Sequence, residues 1–228
     1  MTSPAVKARE LGRRYGRRWS VARLDLEVQE GERFLIVGGN GSGKTTLLRM
    51  LSTALPRSTG ELSIFGLDPE KARMKVRESL ALLSHQSAVW EDLSGTENLE
   101  ILAGLVGVEV DTAAMLKRVA LDTRPDPVRT YSAGMRKRLA FARLLVQRPR
   151  LALIDEPYGQ LDPAGFDLID GLVDDLIDGG CTVVMASHLV ERAATRCDRA
   201  LLLEAGQARW LGPAGRIPEA WSMLQRED

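Results

Sequence analysis

Phe34-Leu35-Ile36-Val37-Gly38-Gly39-Asn40-Gly41-Ser42-Gly43-Lys44-Thr45-Thr46 is the stretch from which the rest of the chain can be read. Four consecutive apolar residues read as a strand buried on both faces. They run directly into glycine, four residues, Gly-Lys and threonine, the phosphate-loop spacing. Each part of that spacing has a physical reason. Glycines at Gly38, Gly41 and Gly43 let backbone N–H groups, including those of Asn40 and Ser42, close around phosphate oxygens. A helix opening near Gly43 turns the positive end of its dipole on the same anion. Lys44 is then placed for the β- and γ-phosphates and Thr45 for a hydroxyl on Mg²⁺, with Thr46 completing the cradle. The expected ligand is a nucleoside triphosphate.

Composition narrows the field. With 228 residues, 44% of them hydrophobic, the chain can bury the core of one large or two small folding units. Lys and Arg number 31 and so do Asp and Glu, and this zero net charge argues against a protein that coats nucleic acid. No nucleic-acid partner is expected. Cys181 and Cys197 lie far apart without metal-ligand spacing, so they read as packing residues in a reducing cytosol. Met1 to Gly16 is polar and basic, with no secretory signal, and no apolar run has the length to cross a bilayer. A membrane role is therefore expected to come through a partner.

Upstream of the loop, from Ala5 to Arg33, the pattern is short strands broken by turns, with Val21, Leu24, Leu26 and Val28 in approximate alternation. Tyr15 sits among Arg13, Arg14, Arg17 and Arg18. Read alone, this is either a solvated basic loop with an incidental tyrosine or an aromatic that stacks on adenine. Downstream, a helix stops before Pro56, and Ser58-Thr59-Gly60 reads as a turn into a strand from Glu61 to Phe65. Asp68 reads as the cap of a helix over Pro69 to Arg77. Leu80 to Leu83 is a buried strand ending at Ser84-His85-Gln86. Residues 94 to 147 then change character, with helices opened by the Ser94–Glu97 capping box, by Asp111 and by Ser132.

Leu151 to Ile154 is again wholly apolar and ends in Asp155-Glu156-Pro157. Asp162-Pro163 opens a helix closed by Gly179-Gly180, and the strand from Cys181 to Ala186 ends in Ser187-His188. A hairpin around Ala205-Gly206 and a last helix complete the chain. Such alternation predicts an α/β fold with a mostly parallel sheet, whose carboxyl ends bring Gln86, Asp155, Glu156 and His188 to the crevice the phosphate loop faces. In that crevice Asp155 is the expected second Mg²⁺ partner and Glu156 polarises an attacking water. His188 contacts the γ-phosphate, and Gln86 senses metal and water. Singly, a histidine or glutamine at a strand end is more often structural; together, behind a phosphate loop, they read as a site.

One further stretch gives the pattern a family. Tyr131-Ser132-Ala133-Gly134-Met135 stands shortly before the strand that ends in Asp155-Glu156-Pro157. It resembles the Leu-Ser-Gly-Gly-Gln signature of ABC transporter ATP-binding subunits. Gly159-Gln160-Leu161-Asp162 is similar to that family's D-loop, Ser187-His188 to its switch histidine, Gln86 to its Q-loop and Tyr15 to its A-loop aromatic. The resemblance covers nearly the whole chain. It implies a single phosphate-loop NTPase domain of the ABC type, with an antiparallel β subdomain and a helical subdomain at about 88–147 inserted into a core of about 1–87 and 148–228. It also implies ATP with Mg²⁺, and a head-to-tail dimer in which Ser132, Gly134 and Asp162 complete the nucleotide site of a second copy. A separate membrane permease is implied as partner, holding the subunit on the cytoplasmic face. Ala133, Met135 and Tyr131 depart from the signature, and Gly39 stands where many members carry proline. Ala88, Val89 and Trp90, directly after Gln86, either meet a permease helix or pack inside the helical subdomain. Within the family, Ser84-His85-Gln86 and the Ser-Ala-Gly signature are most similar to the haem-exporter ATPase of cytochrome c maturation. ATPases of drug, polysaccharide or lipid exporters share much of this pattern.

Overall fold

A computed structural model describes residues 4–84 and 88–224. The strand Arg33–Val37 (β3) lies inside a six-stranded sheet with Leu80–Leu83 (β5), Leu151–Asp155 (β6), Thr182–Ala186 (β7), Arg199–Glu204 (β8) and Gln207–Pro213 (β9). The order is β5-β6-β7-β3-β8-β9, parallel throughout except for the antiparallel β8–β9 edge. Three strands form a second, antiparallel sheet in the order β2-β1-β4: Val6–Tyr15 (β1), Arg18–Val28 (β2) and Thr59–Ile64 (β4).

The period-2 alternation of strand side chains explains how the layers form. Phe34 and Ile36 of β3, Leu151 and Leu153 of β6 and Val184 of β7 face one way, onto the helix Lys44–Leu51 (α1) and the antiparallel sheet. Leu35, Val37, Ala152, Ile154, Val183 and Met185 face the other way, into a cluster built with helices. Those helices are Gly95–Val106 (α3), Thr112–Arg118 (α4), Ala133–Gln147 (α5), Pro163–Asp178 (α6), Val190–Ala194 (α7) and Ile217–Leu224 (α8). A parallel strand buried on both faces reads as a nearly continuous apolar run, and β6 and β7 are buried at all five residues, the polar exceptions being Asp155 at the end of β6 and Thr182 at the start of β7. The helical segment contributes Leu99, Leu116, Tyr131 and Leu139 to the same cluster as the sheet, so its apolar faces are continuous with the core.

The capping expectations for α3, α4 and α6 hold in detail. Ser94 and Glu97 close a reciprocal capping box on α3, Asp111 accepts from Ala114 N–H, and Asp162 accepts from Gly165 N–H with Pro163 at the first helical position. Other expectations need correction. The region before β3 is not a series of short strands but one long hairpin, β1–β2, irregular in register, with Tyr15 paired to Arg18 at its tip. Thr59 and Gly60 belong to β4 rather than to a turn. The chain tolerates this because Gly60 adopts φ +80, where a Cβ would lie 2.3 Å from Glu10 O.

The helix after Asp68 begins only at Arg73 (α2, Arg73–Glu78). Asp68 is committed elsewhere: it accepts from Glu70 N–H and from both terminal nitrogens of Arg57. That fork pulls its carboxyl down to about 2. Since the folded pKa is depressed, the pair stabilises fully above about pH 4, and the gain disappears as pH falls through about 2. Asp68→Asn is expected to cost roughly 1 kcal/mol at pH 7. Urea melts of parent and variant should converge as pH drops through that window.

Candidate functional site

Three neighbouring strands of the sheet, β6, β7 and β3, end at the same edge, and each delivers polar residues to it. The ends are laced together. Glu156 N–H donates to Ala186 O at 2.8 Å, and Ser187 N–H donates to Ile36 O at 3.1 Å. A cleft of about 400 Å³ results, lined by Ser20, the loop from Asn40 to Thr46, Lys137, Asp155, Glu156, Gly159, Gln160 and His188. Two other concavities, about 220 Å³ beside Met50 and about 740 Å³ beside Trp19, include neither the phosphate loop nor any residue at the ends of β6 and β7.

The loop has the shape the spacing requires. Gly38 sits at φ +156, where a Cβ would approach Leu203 O to 2.3 Å; Gly43, at φ +111, would meet Ser20 O at 2.3 Å. Only glycine fits either place. Gly43 caps α1 without any side-chain acceptor, so the helix forgoes roughly a few tenths of a kcal/mol of capping and leaves its first N–H groups open to an anion. Lys44 is buried, and its ammonium donates to Gly38 O at 2.7 Å and Gly39 O at 3.1 Å. Desolvation lowers its pKa, opposed by the charges of Glu156 and Asp155.

Thr45 Oγ1 donates to Asp155 Oδ2 at 2.8 Å, joining the phosphate loop to the end of β6. Asp155 is buried, and its other oxygen, Oδ1, has no hydrogen-bond partner among the described residues. An unpartnered buried carboxylate oxygen beside a threonine hydroxyl is a hard, anionic donor set, and it fits Mg²⁺. Among the described residues no three His, Cys, Asp or Glu side chains converge as a metal-holding group.

Glu156 adopts φ +51, a left-handed conformation that is strained for a side chain of this size. Its carboxylate meets His188 Nδ1 at 2.6 Å, and the same Oε2 accepts from His188 N–H at 3.3 Å. Thr46 Oγ1 accepts from Ser20 Oγ at 2.8 Å, tying the loop to β2.

The cleft thus unites Asn40 to Thr46, Asp155, Glu156 and His188. It does not include Ser132, Gly134, Asp162 or Tyr15. Ser132 is exposed as the cap of α5, accepting from Met135 N–H. Gly134 lies against the D-loop, where a Cβ would be 3.3 Å from Gln160 O. Asp162 spends its carboxylate on the α6 cap, with Arg138 at 3.7 Å. Tyr15 is half exposed at the hairpin tip, with the Arg13 guanidinium 4.9 Å above its ring. Gln86 lies outside the described residues, as does the neighbouring His85. Of the apolar trio after it, Val89 packs on the helical cluster, whereas Ala88 is exposed and Trp90 is half exposed beneath Arg143 at 4.6 Å.

Sequence reasoning overlooked Lys137. It is buried, lines the cleft, and donates to Glu156 O at 2.7 Å and Asp155 O at 3.4 Å. Burial pushes its ammonium down to about 8. The available signal was a lysine on the inward face of a helix, since Lys137 shares that face with Ala140 and Phe141. Tyr158 was also passed over. Its hydroxyl donates to buried Asp170 at 2.7 Å, and Asp170 in turn pairs with Arg192, so the segment after β6 is fastened to α6 and α7. The two cysteines are free, with thiols pushed up by burial to about 11 at Cys181 and about 12 at Cys197, in keeping with packing roles.

Comparison with known proteins agrees with this geometry. Residues 21–159 match the ABC transporter family. The chain is 34% identical over 223 residues to the daunorubicin resistance ATP-binding protein DrrA3 of Streptomyces coeruleorubidus, covering 95% of this chain and 71% of that one. It is 38% identical over 169 residues to the cytochrome c biogenesis ATP-binding export protein CcmA of Nitrosomonas europaea, covering 72% and 79%. Among solved structures, an ATP-binding subunit of an ABC transporter superposes with a TM-score of 0.86 at 21% identity, over 96% of this chain and 93% of that one. A dimeric bacterial ABC transporter cassette superposes with a TM-score of 0.81 at 25% identity, over 92% and 98%.

Proposed function

This chain belongs to the ABC transporter family as an ATP-hydrolysing subunit, and we propose that it drives a separate export permease in the membrane. The observation that carries the reading is one constellation. Thr45 is bonded to Asp155, whose second oxygen is unpartnered, and the adjoining Glu156 is held by His188 at 2.6 Å. Each residue then has a task. Backbone N–H groups from Asn40 to Thr46 and the α1 terminus bind the phosphates. Lys44 exchanges the carbonyls of Gly38 and Gly39 for phosphate oxygens. Thr45 and Asp155 would hold Mg²⁺, which would supply charge neutralisation for the phosphates. Glu156 orients water and accepts its proton. His188, bonded to Glu156 through Nδ1, has Nε2 as its remaining polar atom for the γ-phosphate, and a phosphate oxygen there requires a proton on Nε2. Gln86 is assigned to metal and water sensing, and Tyr15 to stacking on adenine.

Ser132, Gly134 and Asp162 do not line the cleft of their own chain, which supports their use by a second copy in a head-to-tail dimer. A solved cassette of similar fold is described as dimeric. The permease is proposed to meet the outer face of α3, where Ile101, Leu105 and Val106 are exposed, and the neighbouring Trp90. No described helix is long and apolar enough to cross a membrane, so attachment through the permease at its cytoplasmic face is the arrangement proposed.

Two cargo readings have separate support. Two relatives aligned over nearly the whole chain are named as daunorubicin resistance ATP-binding proteins, which favours export of a drug-like small molecule. Two cytochrome c biogenesis relatives, at 38% and 35% identity over shorter spans, keep haem export as the second reading. Solubilising membranes from cells that carry a tagged chain, then identifying what co-purifies, tests both. The expected result is one integral membrane permease, whose kind decides the cargo. Recovery of ribosomes or DNA in place of a permease overturns the transport assignment.

A further inference from the structure

The link between the two functional halves of this chain passes through one side chain. Signature residues Ser132 and Gly134 sit in the first turn of α5, and Glu156 follows β6, about twenty residues later in the chain. Lys137 stands one turn into α5, on the face opposite solvent. Its ammonium donates to the main-chain oxygen of Glu156 at 2.7 Å and approaches that of Asp155 at 3.4 Å. The residue whose carbonyl it holds is also the one in the left-handed conformation, at φ +51. A hydrogen bond to that carbonyl favours the turn that aims the Glu156 carboxylate at His188 and the cleft.

We propose that Lys137 is a positioning residue that fastens the signature helix of this chain to the backbone of its own catalytic carboxylate. Glu156 and Ser132 then move as one rigid unit. The inference rests on the reading given under Proposed function, in which Glu156 serves the nucleotide bound by this chain while Ser132 serves the one bound by the second copy. A displacement of Glu156 at one nucleotide is thereby transmitted along α5 to the other, making turnover at the two sites interdependent. The connection is main-chain directed. It needs a hydrogen-bond donor of the right reach and does not need a reacting group, because Lys44 already supplies the ammonium within the loop.

The test uses the full chain and ATP itself, with three variants. Lys137→Met keeps length and apolar volume but loses the donor. It is expected to lower kcat by about tenfold or more while KM for ATP stays within about threefold of the parent, and to reduce the Hill coefficient for ATP towards one. Lys137→Gln restores a donor and is expected to recover a substantial part of kcat. A rise in KM with kcat unchanged makes Lys137 a direct phosphate contact and overturns the proposal, as does an unaltered kcat in Lys137→Met. Should Lys137→Met fail to fold, Lys137→Arg decides: the donor role predicts near-parental cooperativity, and its loss in a folded Arg variant rejects the link. Glu156→Gln run in parallel separates the two levels. If that variant hydrolyses ATP normally, the underlying assignment fails, whatever Lys137 does.

Discussion

Glu156→Gln is expected to reduce steady-state ATP turnover by roughly 10³-fold while leaving ATP affinity within a few-fold of the parent. The substitution is nearly isosteric, and its amide oxygen can still accept from His188 Nδ1–H and N–H, so the strained turn at φ +51 and the shape of the cleft are kept. What is lost is the proposed proton acceptor next to Thr45 and Asp155, the pair proposed to hold Mg²⁺. The phosphate loop, the α1 terminus and Lys44 are untouched, so the binding energy remains. The variant should accumulate as an ATP-loaded species that sediments as a dimer. Direct measurement of phosphate release at saturating ATP settles the point. Release at the parental rate would mean that another group activates the water and that the Glu156–His188 pair is structural.

Much of this site was legible because strand ends are legible. Wholly apolar runs at Phe34–Val37, Leu151–Ile154 and Val183–Ala186, short and bounded by turn signals, read as strands covered on both faces, and the residues that follow them, Gly38, Asp155 and Ser187, emerge at one sheet edge. Cap residues were legible for a similar reason. Ser94, Asp111, Ser132 and Asp162 satisfy helix N–H groups by local chemistry that tertiary packing seldom overrides.

Asp68 is the instructive failure. It has the cap residue type, but Arg57 competes for its carboxylate, and a partner eleven residues away is invisible to a local rule. The irregular hairpin β1–β2 was misread because shifts of register at Leu11 and Arg13 break the alternation on which strand recognition depends. Lys137 and Tyr158 escaped because their partners, the Glu156 carbonyl and the Asp170 carboxylate, are brought to them only by packing of α5 and α6 onto the sheet.

Ser132→Arg is expected to abolish ATP-driven dimerisation and cut turnover by at least about 10²-fold, with nucleotide binding to the single chain essentially unchanged. Ser132 is exposed and lies outside the cleft formed by the loop, Asp155, Glu156 and His188, so a long side chain there obstructs nothing in its own subunit. Its place at the start of a fifteen-residue helix gives it free N–H groups and a positive dipole end, features that serve an anion arriving from outside the chain. Arginine fills that approach and adds a cation at the helix end where cations are unfavourable. Together with loss of the cap to Met135 N–H, this is expected to cost about 1–2 kcal/mol of stability. Ser132→Ala separates the effects, since it removes the cap while leaving the approach open. That variant should melt lower than the parent by a few degrees yet still dimerise with ATP. If Ser132→Arg hydrolyses ATP as the parent does, the nucleotide site is complete within one chain. If it fails while Ser132→Ala works, the loop from Gly38 to Thr46 is one wall of a site whose other wall belongs to a second molecule.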